Sequence, residues 1–147
     1  MPSVTSRQTV PSTTGPAWNL GDIAVRRVDV PEDGREVGPG VFLVPAPGHT
    51  PGQVAVELRG SDRRAMITGD SIHHPVQLSH PHVNSCVDID PAQALRTRGR
   101  LLDALADTDA LLLGTHFPQP TAGTVRSDNG RYRLLAEPGT EIPPTSA

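Results

Sequence analysis

One cysteine, one tryptophan, one tyrosine and two phenylalanines are all that this 147-residue chain has of those types, and each scarcity removes a class of explanation. A lone thiol, Cys86, cannot close an internal disulfide, which suits a reducing compartment. With aromatics at 3% and hydrophobic residues at 35%, the core has to come from Val, Leu, Ile and Ala, and it is modest. No apolar run approaches membrane-spanning length, and the opening "MPSVTSRQTVPSTTGPAW" lacks the apolar middle of a secretory signal. A soluble, cytoplasmic protein with no membrane partner is expected. The formal net charge is -3 and the basic residues are scattered, so no positive surface exists to attract a phosphate backbone, and nucleic acid is set aside.

What the chain does have is punctuation: 16 prolines and 14 glycines divide it into short segments without a break in composition, which is the pattern of one turn-rich domain. Residues 1–17 are rich in Ser, Thr and Pro and read as a disordered leader, 138–147 as a flexible tail, and 18–137 as the single domain. "DIAVRRVDV" (Asp22 to Val30) reads as a strand, "PEDGRE" as a turn, and "VFLVP" as a short buried strand. "QVAVEL" and "AMITGD" flank the polar turn "RGSDRR" and form a hairpin. After Asp70, "SIHHPVQLSHPHVNSCVDI" has no period and reads as a long loop of the kind that often carries function. Asp90 suits an N-cap and Pro91 the first helical position; Leu95, Leu101, Leu102 and Leu105 then predict a buried stripe on a helix ending near Ala106. "ALLLG" reads as an interior strand, "FPQPTAG" as a rigid loop and "RYRLL" as the last strand.

The chemistry gathers at strand ends. His49 sits in the rigid loop "PAPGHTPGQ", Asp70 ends the hairpin, and His116 follows the interior strand. In an antiparallel pair the start of one strand lies beside the end of the other, so His49 and Asp70 are expected at one sheet edge although 21 positions apart. Two imidazoles and a carboxylate suit zinc, iron or manganese, since neutral nitrogen and anionic oxygen both donate well to such ions. Taken one at a time, the same residues also read as a turn residue, a loop cap and a solvent-facing side chain. The pair His73 and His74 and the "HPH" at His80 to His82 read as a polar loop, with surface positions preferred, and Cys86 as a small semi-buried side chain rather than a nucleophile.

The motifs "PAPGHTPGQ", "MITGDSIHHPVQL" and "DIDPAQALRTRGRLLDALADTDALLLGTHFPQPTAG", in that order, resemble the metallo-β-lactamase superfamily, in particular its lactonase-like and organophosphate-hydrolase-like branch. The likeness runs from about Val37 to Leu135, and "WNLGDIAVRRVDV" is similar to the opening strand of that branch. The resemblance implies an α/β chain forming a partial αββα sandwich, mainly antiparallel, with one long helix. It also implies a metal centre of zinc or another divalent transition metal, in which His49 completes the first site, Asp70 bridges both and acts in catalysis, and His116 belongs to the second. The implied reaction is attack of metal-activated water on a small-molecule lactone, ester or phosphotriester.

The chain departs from that pattern where most of the metal ligands lie. The family motif His-x-His-x-Asp-His precedes the GHTPG loop, and here no histidine precedes His49. The segment near Val30 to Val37 runs almost straight into "PAPGHTPGQ", as in a family member with an internal deletion. Two readings follow: a hydrolase impaired by loss of the motif, or a catalytically inactive remnant serving as a scaffold or binding subunit. Either one leaves apolar surface open, which implies pairing of the chain as a homodimer or with a complementary chain.

Overall fold

The computed structural model describes residues 17–137 and 139. The readings of a leader and a tail fall outside them, except that Ala17 opens the first strand. Short β-branched runs bounded by turns form most of the structure. β1 (Ala17–Leu20) and β2 (Ile23–Arg26) make a separate two-stranded hairpin. β3 (Arg35–Gly38), β4 (Val41–Pro45), β5 (Val54–Arg59) and β6 (Arg64–Ile67) follow, consecutive strands of this set pairing antiparallel.

From β6 the chain crosses over through α1 (Val76–Ser79) and α2 (Pro91–Leu105) to β7 (Leu111–Leu113). β7 lies parallel to β6, as a long crossover requires. β8 (Ala122–Asp128) and β9 (Arg131–Ala136) close a seven-stranded sheet whose order is the chain order, β3 to β9. The architecture is the expected partial sandwich: one mainly antiparallel seven-stranded sheet with one long helix, and apart from it the two-stranded β1–β2 hairpin.

α2 begins and ends as its sequence predicts. The Asp90 carboxylate accepts from the Gln93 amide at 2.9 Å, Pro91 takes the first helical position, and Ala106 ends the helix with its amide on the Leu102 carbonyl. The helix packs on one sheet face. Leu101, Leu102 and Leu105, joined by Leu78 of α1, meet Ala55, Met66, Leu112 and Val125 of the strands, and this single layer is the core. Leu95 departs from the predicted stripe and is 36% exposed. At that turn α2 meets a loop backbone and not a strand: Thr97 Oγ1 donates to the Pro47 carbonyl at 2.6 Å, and Ala94 lies against Gly48.

The opposite face of the sheet is also apolar. Register places Leu43, Val56, Ile67, Leu113 and Ala122 in one row across five strands, and none of them belongs to the core. Other expectations need correction. The strand predicted over Asp22 to Val30 stops at Arg26; the last two residues of the predicted "PEDGRE" turn, Arg35 and Glu36, belong to β3, which pairs with β4; and β8 begins inside the predicted "FPQPTAG" loop, at Ala122. The loop after Asp70 contains α1, and Cys86 is exposed rather than semi-buried. No helix of the described residues is long and apolar enough to cross a membrane.

Candidate metal centre

Three strand ends deliver the predicted residues to one edge of the sheet. β6 and β7 are parallel neighbours, so both finish on the same side. Beyond β6, Thr68 is buried and its amide reaches the Leu113 carbonyl at 3.2 Å; a single 3₁₀ turn, Gly69–Ser71, then presents Asp70. Beyond β7, the Phe117 amide closes a tight turn on the Gly114 carbonyl at 3.3 Å, and buried Phe117 anchors that turn with His116 at its tip.

His49 comes from the β4–β5 loop, which is clamped to the start of α2. The amides of Ile89 and Asp90 donate to the carbonyls of His49 and Gly48 at 3.1 and 2.9 Å. Gly48 has φ +137°, and a Cβ there would lie 2.3 Å from the Ala94 backbone, so only glycine lets loop and helix approach this closely.

The two oxygens of Asp70 face different histidines. Oδ1 accepts from His116 Nε2 at 2.7 Å, while Oδ2 lies 3.9 Å from His49 Nε2. The other nitrogen of His49, Nδ1, donates to Asp88 Oδ1 at 3.0 Å. A carboxylate only accepts, so in the neutral ring the proton sits on Nδ1 and the lone pair of Nε2 is turned toward Asp70.

Sequence reasoning missed the residue in the middle. His73 lies between the other imidazoles, 5.1 Å from the His49 ring and 5.3 Å from the His116 ring, stacked on the latter at 11°. Its backbone is pinned because the amides of His73 and His74 both donate to the buried Gln77 side chain, at 2.7 and 3.2 Å. Burial first, and then the neighbouring His49 and His116, hold the His73 imidazole below its ordinary pKa, with Asp70 and Asp88 pulling the other way. Only the proximity of "HH" to Asp70 in the sequence hinted at this, and it does not say which of the two turns inward; His74 is exposed.

Asp88 and Arg98 were missed as well, because nothing in their local pattern distinguishes them from loop and helix-surface charges. The Asp88 side chain is buried; besides His49 it accepts from the Ser85 amide at 3.0 Å, and Arg98 Nη2 lies 4.0 Å away. Arg98 is itself fully buried on α2 and donates to the carbonyls of Ser71, Pro81 and Val83 at 3.2, 2.7 and 2.9 Å. One guanidinium thus ties the loop after Asp70 to the long helix from both ends.

The donor set fits a divalent ion. Asp70, His73 and His116 each offer a ligand atom within 4.8 Å of the others, and this is the cluster of such donors found among the described residues. His73 Nδ1 is buried with no hydrogen-bond partner. A buried imidazole nitrogen with nothing to bind, held in a ring whose charged form is disfavoured, is a ready ligand. Two histidines and one carboxylate leave a fourth tetrahedral position open.

Fold and cluster together define a class: part of the metallo-β-lactamase-like fold, as found in hydrolases of that superfamily. Among solved structures the chain is similar to the hydrolase AbOPH of the beta lactamase superfamily, at 28% identity and TM-score 0.64, over 69% of this chain and 36% of that one. It is similar also to AidC, a dizinc quorum-quenching lactonase in complex with a product, at 26% identity and TM-score 0.67, over 73% of this chain and 37% of that one. A probable metal-dependent hydrolase from Staphylococcus aureus shares the fold at 21% identity and TM-score 0.59, over 76% and 41%. The chain therefore spans a little over a third of the length of the first two. No protein-family model matches it, and no curated protein matches it in sequence.

Proposed function

We propose that this chain is a metal-dependent hydrolase of the lactonase-like branch, acting on a small lactone, ester or phosphotriester with activity reduced by the absence of the His-x-His-x-Asp-His motif. The observation that carries the proposal is the convergence of Asp70, His73 and His116 within 4.8 Å at the sheet edge, with His49 beside them. AidC is described as a dizinc enzyme; here three close donors suit one open ion site better than two. Zinc or another divalent transition metal bound by these residues would polarise a carbonyl or phosphoryl oxygen and lower the pKa of water.

The rest of the work falls to the chain. Asp70 is the catalytic carboxylate, its two oxygens turned to His116 and His49. Asp88 positions His49 by holding its Nδ1 proton, which directs Nε2 inward. His73 supplies the third donor in place of a ligand from the missing motif.

The direct test is metal content. After dialysis against micromolar zinc, manganese or iron, purified chain is expected to retain close to one equivalent, and Asp70→Ala or His116→Ala to lose it; retention below about a tenth of an equivalent refutes the reading. Hydrolysis of a lactone and a phosphotriester, lost in His116→Ala, is the accompanying activity measurement. The open sheet face favours a second reading, an inactive scaffold or binding subunit, which a measurable rate sensitive to His116 would sink.

A further inference from the structure

We infer that a cleft between the second half of α2 and the β5–β6 hairpin is a further binding site, which takes a small carboxylate with an apolar body. Cross-strand register puts Arg59 opposite Arg64 and Glu57 opposite Met66, on the sheet face whose core α2 covers. From the helix, Arg100 donates to the Pro45 carbonyl. The cleft has a volume of about 230 Å³, an apolar floor of Val44, Met66, Leu101 and Leu105, and Arg59, Arg64 and Arg100 among its walls. It lies at the far end of the elements that carry the metal centre, and it needs no ion there. Arg64 begins β6 whereas Asp70 lies beyond its end, and α2 starts against the His49 loop whereas only its second half lines the cleft.

Three guanidiniums line this cleft against a single carboxylate, Glu57. Glu57 is satisfied from both sides, by Arg59 Nη2 at 2.7 Å and Arg64 Nη1 at 3.1 Å. Arg59 also lies over the Phe42 ring at 3.8 Å and faces the charge of Glu36, so its own charge is largely answered. Arg64 and Arg100 keep donors to spare. Of the five N–H groups a guanidinium carries, each spends one, on Glu57 and on the Pro45 carbonyl, among the described residues. Satisfying Glu57 accounts for Arg59 and Arg64; it does not account for Arg100, which pairs with no carboxylate of the described residues, nor for the apolar space between these side chains. Ala104 and Ala110 line that space where larger side chains would close it. A guanidinium fork matches a planar carboxylate, and the apolar floor asks for hydrocarbon behind it. At roughly 30 Å³ for each non-hydrogen atom, 230 Å³ admits about eight, the size of a six-carbon acid.

Hexanoate titrated into the full chain, followed by backbone amide shifts in two-dimensional NMR, tests the site. Saturable one-to-one binding is expected with a Kd of about 1 mM, the range open to a ligand of about eight non-hydrogen atoms. The shifts are expected at residues 60–64 and 101–106, with hexanol, hexylammonium and inorganic phosphate each about tenfold weaker or more. Arg100→Gln and Ala104→Leu, both at exposed positions of α2, are each expected to weaken hexanoate about tenfold, the first by removing charge and the second by filling the cleft with the charges intact. No saturation by roughly 20 mM overturns the proposal. Shifts confined to the surroundings of Asp70, His73 and His116 overturn it as well, because hexanoate is then a ligand of the metal edge. So does hexanol or phosphate binding as tightly as hexanoate, or a Kd unmoved in either folded variant. Should one variant unfold, the other decides; should both, the comparison of hexanoate with hexanol on the parent chain does.

Discussion

Replacing Arg98 by methionine is expected to be among the most damaging single changes outside the apolar core. Methionine keeps much of the side-chain length but removes the charge and every donor. The carbonyls of Ser71 and Pro81 then lose their partner, that of Val83 keeps only the bond from Gln77 Nε2, and the buried Asp88 carboxylate loses its nearby cation. Burial pulls the Arg98 guanidinium below its ordinary pKa, with Asp88 pulling it back, which marks a charge tolerated only because of its partners. Breaking such a buried pair from one side costs about 3–5 kcal/mol. Against a total stability of roughly 5–15 kcal/mol, that is a large fraction. In urea unfolding followed by circular dichroism, with an m-value of about 1.5 kcal/mol/M, the midpoint is expected to fall by about 2–3 M. Adding Asp88→Asn to Arg98→Met is expected to cost less than the sum of the two singles, since the second change relieves the unpaired carboxylate. A loss below about 1 kcal/mol for Arg98→Met, or additivity within about 0.5 kcal/mol, would refute the claim that this network holds the loop to α2.

Two further outcomes follow from the same geometry. Gly48→Ala puts a methyl 2.3 Å from the Ala94 backbone at φ +137°, so a loss of about 3 kcal/mol or more is expected, and an unchanged Tm would show that the loop does not seat on the helix as described. Glu57, 7% exposed beneath the helix side of the sheet, has its carboxyl held below the ordinary range by the hydrogen bond from Arg59, with burial opposing and the charge of Arg59 and contacts from Arg64 adding to the lowering. Because the folded value is the depressed one, its contribution is complete above the unfolded glutamate pKa of about 4.3 and is lost as pH falls through the folded value; Glu57→Gln is expected to flatten that acid limb, and an unaltered pH profile of stability would refute it.

Legibility of the chain divides along physical lines. Elements with a strong local signal were readable: the Asp90–Pro91 start of α2, the β5–β6 hairpin and the apolar "ALLLG" strand each carry their own cap, turn or period. Elements that exist only because a neighbour accepts their hydrogen bonds were not. β3 and the first part of β8 are Gly-, Arg- and Thr-containing segments with little strand character, and they are ordered by pairing with β4 and β7. Leu95 fits the helical period and is still exposed, because period says nothing about whether a strand or a loop lies opposite.

The site divides in the same way. By itself the sequence determined the strand ends on which His49, Asp70 and His116 stand, since hairpin geometry and Pro- and Gly-rich turns are local matters. Only the tertiary structure decided that His73 turns inward between two imidazoles, that Asp88 takes the Nδ1 proton of His49, and that a buried Arg98 spans from α2 to the loop. These are contacts between segments brought together by a parallel crossover. No spacing along the chain encodes which side of an aperiodic loop such a crossover will bury.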